Sequence, residues 1–310
     1  MAGRATPGSD AEGIAALRDD LLSAGFTASA LAGVWGPAAE AALLRGVRLP
    51  AVRALADPSS RAAGAVADLA ALFVLGSAMP AERVVDALPR LGVEGAEALG
   101  LVQADGEWIS AAVELRPVRL VDPDGVEEWW VASDLAEAVL GGPLPEDHVL
   151  GVGGASRTLA GLQLPRPAGR VLDLGTGSGI QALRAGRYAG HIVGTDVSER
   201  ALAYARFNAA LNGVALELRP GSLFEPVEGE RFDRILTNPP FVITPRQAGV
   251  PAVRALPEGD PAIQCRLRQV QGTDERHRGK GSGFVLCRPL SRRRLARRLD
   301  RFRLQHGGTG

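Results

Sequence analysis

Between Ile14 and Ala78 the apolar residues recur at helical spacing, in IAALRDDLLSAGF, AAEAALLRGV and AAGAVADLAALFVLG, with proline and glycine between the runs. Apolar positions three and four residues apart turn one helix face toward a core, so this stretch predicts a small bundle. From Pro80 the pattern shortens. PAERVVDAL opens on a proline suited to a first helical turn, and EGAEAL makes a further short helix. LVQADGEWI reads as a hairpin with Asp105-Gly106 at its turn. A second hairpin pairs LRPVRLV with VEEWWVA across Asp122-Pro123-Asp124-Gly125. Trp129 and Trp130 face opposite ways as strand neighbours, which predicts one ring in the core and one outside. GGPLPEDHVLGVGGA is a glycine- and proline-rich connection. Past it the rhythm becomes strand then helix: RVLDL, IQALRAGRYA, HIVGTDV, ERALAYARFNAALNG, ALELRPG, FDRILT. Such alternation predicts a parallel sheet with covering helices, an α/β fold.

Three segments follow: 1–140, helical with hairpins; 141–250, α/β; and 251–310, an arginine-rich tail. Helices followed by a hairpin suggest a winged helix, which ordinarily raises DNA binding. The would-be recognition segment, Gly92 to Leu99, carries Glu94 and Glu97 and no base. Duplex binding depends on neutralising phosphates with Lys and Arg, so a scaffold or substrate-lid role fits better.

The 310 residues give room for a sizeable core and two domains, and the hydrophobic fraction of 46% is ordinary. The best apolar run, LAALFVLGSAM, is stopped by Pro80 short of the ~18 residues of a membrane span. The opening MAGRATPGSDAEG lacks the apolar stretch of a signal peptide. Two cysteines, Cys265 and Cys287, are too few for a disulfide scaffold or a zinc cluster. The expectation is a soluble cytoplasmic protein without metal. Zero net charge conceals a gradient: residues 1–150 carry net −12, residues 151–250 net +3 and residues 251–310 net +9. Blocks of this kind argue for different surroundings along one chain.

VLDLGTGSGI is a strand running into Gly175, Gly177 and Gly179 and then a helix. Glycine lets the backbone turn tightly and a ligand approach without meeting a β-carbon, and open α/β sheets bind ligands at the carboxyl ends of their strands. The spacing is neither Gly-x-Gly-x-x-Gly nor a P-loop. Asp196 ends the next strand, where an acid can accept both hydroxyls of a ribose; alternatively Asp196 or Ser198 caps the following helix.

DLGTGSG (173–179), Asp196 and NPPF (238–241), in this order, resemble the class I S-adenosyl-L-methionine-dependent methyltransferases, with a Rossmann-like fold. The resemblance covers roughly residues 150–250. It implies that the Gly175-Thr176-Gly177-Ser178-Gly179 loop packs on the methionine part of the cofactor and that Asp173 orients its amino group. By the same resemblance Asp196 holds the ribose and Val197 lies on the adenine. Many relatives have an acid after the third strand for the adenine amine; here Ser222 and Leu223 stand in that loop. GGASRTLA just upstream offers Ser156 or Thr158 to the cofactor or the site entrance.

FDRILTNPPFV ends a buried strand on two prolines, which cannot join a sheet ladder. Methyl transfer from a sulfonium is an in-line displacement dominated by positioning. An amide or exocyclic amine nitrogen has a delocalised lone pair. Two acceptors aimed at its N–H groups turn that pair toward the methyl and favour the charge that develops. Asn238 supplies one through its side-chain oxygen and the carbonyl of Pro239 the other, held by the Pro239 and Pro240 rings. Phe241 stacks on the planar target. Alternatively, Asn-Pro simply starts a turn.

NPPF resembles the motif of enzymes that methylate nitrogen in adenine, guanine N2 and protein glutamine. Its phenylalanine form is similar to that of the ribosomal RNA guanine-N2 group, the methyltransferase small domain. The resemblance implies a nucleobase amine as target, RNA before DNA. Protein glutamine of a ribosomal or translation-factor substrate is the rival, and a cofactor-binding remnant without catalysis a third reading. A complete domain of this class continues with a fifth strand, a helix and a hairpin of strands six and seven. After about Val250 only GFVLCRPL suits a strand, so the C-terminal strands read as missing or altered. The tail reads as a basic RNA-binding arm, an unstructured segment, or sequence in a shifted frame.

Overall fold

The computed structural model describes residues 6–57, 63–122, 125–142 and 144–238. The expectations for Pro239, Pro240, Phe241, the tail 251–310 and the missing strands lie outside the described residues.

The first unit is helical. α1 (Ala11–Ala24) is capped by Asp10, whose carboxylate accepts from Gly13 N at 2.7 Å. α2 (Ala28–Leu43) is capped by Thr27 and kinked at Gly36, which has φ 77° directly before Pro37. α3 (Leu49–Ala56) follows, and α4 (Ala65–Leu69) runs into a π-helical turn, Ala70–Val74. Next come β1 (Met79–Pro80), α5 (Ala81–Ala87), α6 (Gly92–Ala98), β2 (Val102–Asp105) and β3 (Trp108–Ala111), with strand order β1-β3-β2, antiparallel.

Two local expectations shift by one residue. Pro80 precedes α5 and pairs with Trp108, so its ring ends β1 rather than filling the first helical turn. Asp105 remains in the ladder opposite Trp108, which leaves Gly106 and Glu107 as the two loop residues, with Gly106 at φ 62°.

β4 (Glu114–Asp122) and β5 (Gly125–Ser133) form a two-stranded antiparallel ribbon. The tryptophan expectation is corrected here. Their rings do point oppositely, but neither is outside. Trp129 packs with Val118, Val131, Ile180 and Leu183, while Trp130 lies against the N-terminal core and donates from Nε1 to Phe26 O at 2.7 Å. The ribbon is covered on both faces, so both rings find apolar partners.

After α7 (Glu137–Leu140) and α8 (Gly154–Leu162) the α/β unit alternates: β6 (Ala168–Leu174), α9 (Ile180–Ala185), β7 (Ala189–Asp196), α10 (Glu199–Leu211), β8 (Glu217–Pro220) and β9 (Arg234–Thr237). All pairs are parallel, in the order β8-β7-β6-β9. The chain steps outward from β6 to β8 and returns on the other side of β6. That return makes the crevice between β6 and β9 a topological switch point, where open sheets bind ligands.

α10 joins the halves. Tyr204, Phe207 and Leu211 belong to the same apolar cluster as Leu17, Leu21 and Phe73 of the N-terminal unit. A helix buried on several sides needs polar groups only where it meets backbone, and α10 has one there with a second at its C-cap. Asn208 Oδ1 accepts from Ala132 N (2.7 Å) and its Nδ2 donates to Ala132 O (2.9 Å). One turn on, Asn212 accepts from Trp130 N (3.0 Å) and donates to Trp130 O (2.7 Å). Two strand residues advance about 6.7 Å and four helical residues about 6 Å, so the two amides meet alternate peptides of the open β5 edge. Arg18 of α1 donates from Nε to Leu211 O at 2.6 Å, satisfying a carbonyl at the end of α10.

Among the described residues no helix is long and apolar enough to cross a membrane. Asn212→Leu is expected to lower stability by roughly 2 kcal/mol, the cost of stranding buried peptide groups. Asn208→Leu should cost more, because that residue is fully buried. Urea midpoints measure both, and an unchanged midpoint for Asn208→Leu would remove this pairing from the forces that hold the halves together.

Candidate functional site

The register sets the site. Leu174 pairs with Thr237 across β6 and β9, and Thr237 Oγ1 donates to Leu174 O at 2.9 Å. Gly175 and Asn238 follow these two residues directly, so the glycine loop and the asparagine leave the sheet at one level, on either side of the switch point.

The loop is anchored to β7. Gly175 N and Thr176 N both donate to Thr195 O, at 2.8 and 2.9 Å. Gly175, Gly177 and Gly179 all have positive φ, 69°, 55° and 85°, which disfavours any side chain. A β-carbon on Gly175 or Gly177 would stand in open space, whereas one on Gly179 would lie 3.3 Å from Ala205 of α10. The first two glycines therefore leave an unobstructed cradle, and the third admits a close helix contact.

Asp173, at 0% exposure, lies beneath the loop. Its Oδ2 accepts from Thr176 Oγ1 (2.7 Å) and Ala182 N (3.1 Å), and its Oδ1 is buried without a hydrogen-bond partner. Burial pushes its pKa up to about 7, against the two hydrogen bonds that favour the charged form, with the nearby Asp196 charge adding to the rise. A buried carboxylate oxygen without a donor fits a cationic ligand group.

Asp196 is not the cap of α10. Ser198 is, accepting from Ala201 N at 3.2 Å. Asp196 accepts from Gly177 N and Ser198 N, both at 3.0 Å, which holds its half-buried carboxylate beside the glycine loop with lone pairs to spare. Val197 is 61% exposed, an apolar surface next to that acid. Gly221 N donates to Asp196 O at 3.0 Å and brings the loop after β8 alongside. Ser222 there is exposed, and Leu223 takes φ 50°, the sole non-glycine positive φ among the described residues. Such strain gathers at ligand sites. Asp173, Thr176, the three glycines, Asp196, Val197, Ser222 and Leu223 thus line the carboxyl ends of β6, β7 and β8.

Asn238 is half-buried, and its Nδ2 donates to Ser156 Oγ of α8 at 3.2 Å. Its Oδ1 accepts no hydrogen bond among the described residues. Thr158 does not join the site: it is exposed, and its hydroxyl donates to Gly154 O within α8. Sequence reasoning missed Gln181, whose Nε2 holds Ser156 O at 2.9 Å; a buried glutamine in a short helix is invisible to apolar periodicity. No group of three His, Cys, Asp or Glu among the described residues could hold a metal ion.

Residues 152–255 match the methyltransferase small domain family, and residues 23–113 match a domain of unknown function, DUF7059. The chain is 43% identical over 79 residues to a release factor glutamine methyltransferase of Geobacter sulfurreducens, covering 25% of this chain and 28% of that protein. It is 49% identical over 96 residues to the protein of that name from Cereibacter sphaeroides (29% and 34%). It is 35% identical over 85 residues to the ribosomal RNA small subunit methyltransferase C of Alcanivorax borkumensis (27% and 26%). The chain thus spans about a quarter to a third of the length of these curated relatives.

Because its pKa is raised on folding, Asp173 favours the folded state fully at low pH, and that contribution is lost as pH rises through about 7. The urea midpoint of the ligand-free chain should carry this downward slope, and Asp173→Asn should flatten it. An identical pH profile for the two proteins would show that Asp173 does not titrate there.

Proposed function

We propose that this chain is an S-adenosyl-L-methionine-dependent N-methyltransferase whose target nitrogen belongs to a planar group. The observation that carries the reading is Asn238, half-buried at the level of the glycine loop with its amide oxygen free of any hydrogen bond among the described residues. When bound, the cofactor supplies an electrophilic methyl on a sulfonium. The chain supplies the positioning. Asp173 Oδ1 offers a buried acceptor for an ammonium, and the open faces of Gly175 and Gly177 admit the methionine portion. Asp196 keeps two backbone donors and still accepts from ribose hydroxyls, with Val197 set against the adenine. Ser222 and Leu223 border the adenine edge.

Asn238 Oδ1 accepts from the target N–H and so turns the nitrogen lone pair toward the methyl. It also favours the positive charge that grows on nitrogen. Pro239 O as second acceptor, stiffened by Pro240, and Phe241 as stacking surface complete the proposal from the motif itself. No strong base is needed, because the proton leaves after transfer.

For the target, the phenylalanine form of the motif and the arginines of 251–310 support a nucleobase amine, RNA first. The acidic first 150 residues, net −12, favour the second reading, a glutamine side chain of a protein in translation, since phosphates are repelled by that unit.

Labelled donor incubated with the full chain and cell extract separates the readings: RNase-sensitive label supports RNA, and label lost only to protease supports glutamine. Asn238→Ala should lower transfer by ~10²–10³-fold, the usual effect of one transition-state hydrogen-bonding group, with donor affinity near that of the parent. Equal loss of both would contradict the role of Asn238. Donor affinity by calorimetry should rise with pH through about 7, because a cationic ligand prefers ionised Asp173; an affinity independent of pH would overturn that contact.

A further inference from the structure

An asparagine that must accept has a difficulty of its own: its amide swings about its last torsion. A group aimed at a substrate N–H then loses its alignment. Something must fix the amide.

Ser156 Oγ takes the Asn238 Nδ2–H at 3.2 Å, and Ser156 is itself held. Gln181 Nε2 donates to Ser156 O (2.9 Å), and Gln163 Nε2 donates to Gln181 Oε1 (2.7 Å) and to Gln181 O (3.3 Å). Tyr188 OH donates to Gln163 Oε1 (2.7 Å). Gln163, Gln181 and Tyr188 are 2%, 3% and 8% exposed. Burial pushes the Tyr188 hydroxyl above its usual pKa, against the opposing influence of Arg234, so it stays protonated and remains a donor. The Arg234 guanidinium lies 4.6 Å over the Tyr188 ring, and its Nη2 donates to Arg166 O at 2.7 Å. Arg234 and Thr237 are the two ends of β9, so the chain of contacts leaves that strand at one end and returns to the residue just beyond the other.

Two buried glutamines are costly unless every amide is satisfied, and a satisfied network stiffens what it touches. An apolar pair would fill the same space without that requirement. This network ends on the one side chain whose orientation the proposed chemistry needs.

We propose that Ser156 is the positioning residue of the site: its hydroxyl takes the Asn238 NH₂ and holds the amide plane so that Oδ1 is left to the target, and the Gln181–Gln163–Tyr188 network holds the Ser156 backbone that carries that hydroxyl. The inference rests on the proposed methyl transfer for its catalytic consequence, but the contact itself is tested independently. In the full chain, the side-chain ¹⁵N–¹H₂ resonances of Asn238, assigned by their loss in Asn238→Asp, should shift in Ser156→Ala while those of Asn208 stay in place. Labelled-methyl transfer to the RNA or protein fraction that the parent labels should fall by ~10-fold in Ser156→Ala, in line with lost orientation. Donor affinity by calorimetry and the thermal midpoint should be unchanged, and Ser156→Thr should restore most of the rate. Unmoved Asn238 resonances, a parental rate in Ser156→Ala, or loss of donor binding together with rate would each overturn the assignment. Should the parent neither bind the donor nor transfer its methyl, the proposed function fails, and the resonance measurement still decides whether Ser156 holds Asn238.

Discussion

The open edge of β5 is the constraint around which this molecule is arranged. A two-stranded ribbon leaves a row of peptide groups without partners on the outer edge of each strand, and here the later part of the β5 row is buried between a helical unit and an α/β unit. Left unpaired, each group would carry a desolvation cost comparable to a lost hydrogen bond. Asn208 and Asn212 answer it with side-chain amides that copy a third strand. Asn208 then does more: its Nδ2 also donates to Ser178 O at 2.8 Å, within the glycine loop. The peptide edge of the N-terminal ribbon and the backbone of the glycine loop thus share one amide. This couples the ribbon, and the helical unit packed on it, to the glycine loop through backbone groups.

Asp134 makes a second tie of the same kind, just after β5. Burial alone would raise its pKa, but Arg200, the Val149 amide and the Tyr204 hydroxyl together hold it below the usual carboxylate range. Its Oδ2 accepts from Val149 N at 2.8 Å and from Arg200 Nε at 3.1 Å, and its Oδ1 from Tyr204 OH at 3.0 Å. The connection between the units is therefore pinned to α10 by a satisfied charge. In that respect it is no flexible linker, despite its glycine and proline content.

Three departures from ordinary pairing and backbone geometry lie at one end of the sheet. They are the unpartnered Oδ1 of Asp173, the left-handed Leu223 and the amide oxygen of Asn238, which accepts no hydrogen bond among the described residues. Beneath them Gln163 and Gln181 are paired into a network that stiffens this part of the frame. A stiff network beneath unused acceptor atoms is the arrangement that electrostatic preorganisation requires.

Much of this was legible in the residues themselves. Helical spacing located α1, α2 and α4 but not α3, strand-helix alternation gave the parallel sheet, and DLGTGSG, Asp196 and Asn238 fell at the carboxyl ends of its strands, because short-range periodicity and turn chemistry are written in neighbouring residues. What neighbours could not reveal is what faces each element. Trp130 lies under the helical unit, Ser198 rather than Asp196 caps α10, Asn208 reaches from β5 to the glycine loop, and Ser156 meets Asn238 across 82 positions. Local sequence determined the elements and the chemistry at their ends. Tertiary packing alone decided which amide meets which peptide, since a hydrogen bond between distant residues exists only once the chain has brought them within three ångströms or so of each other.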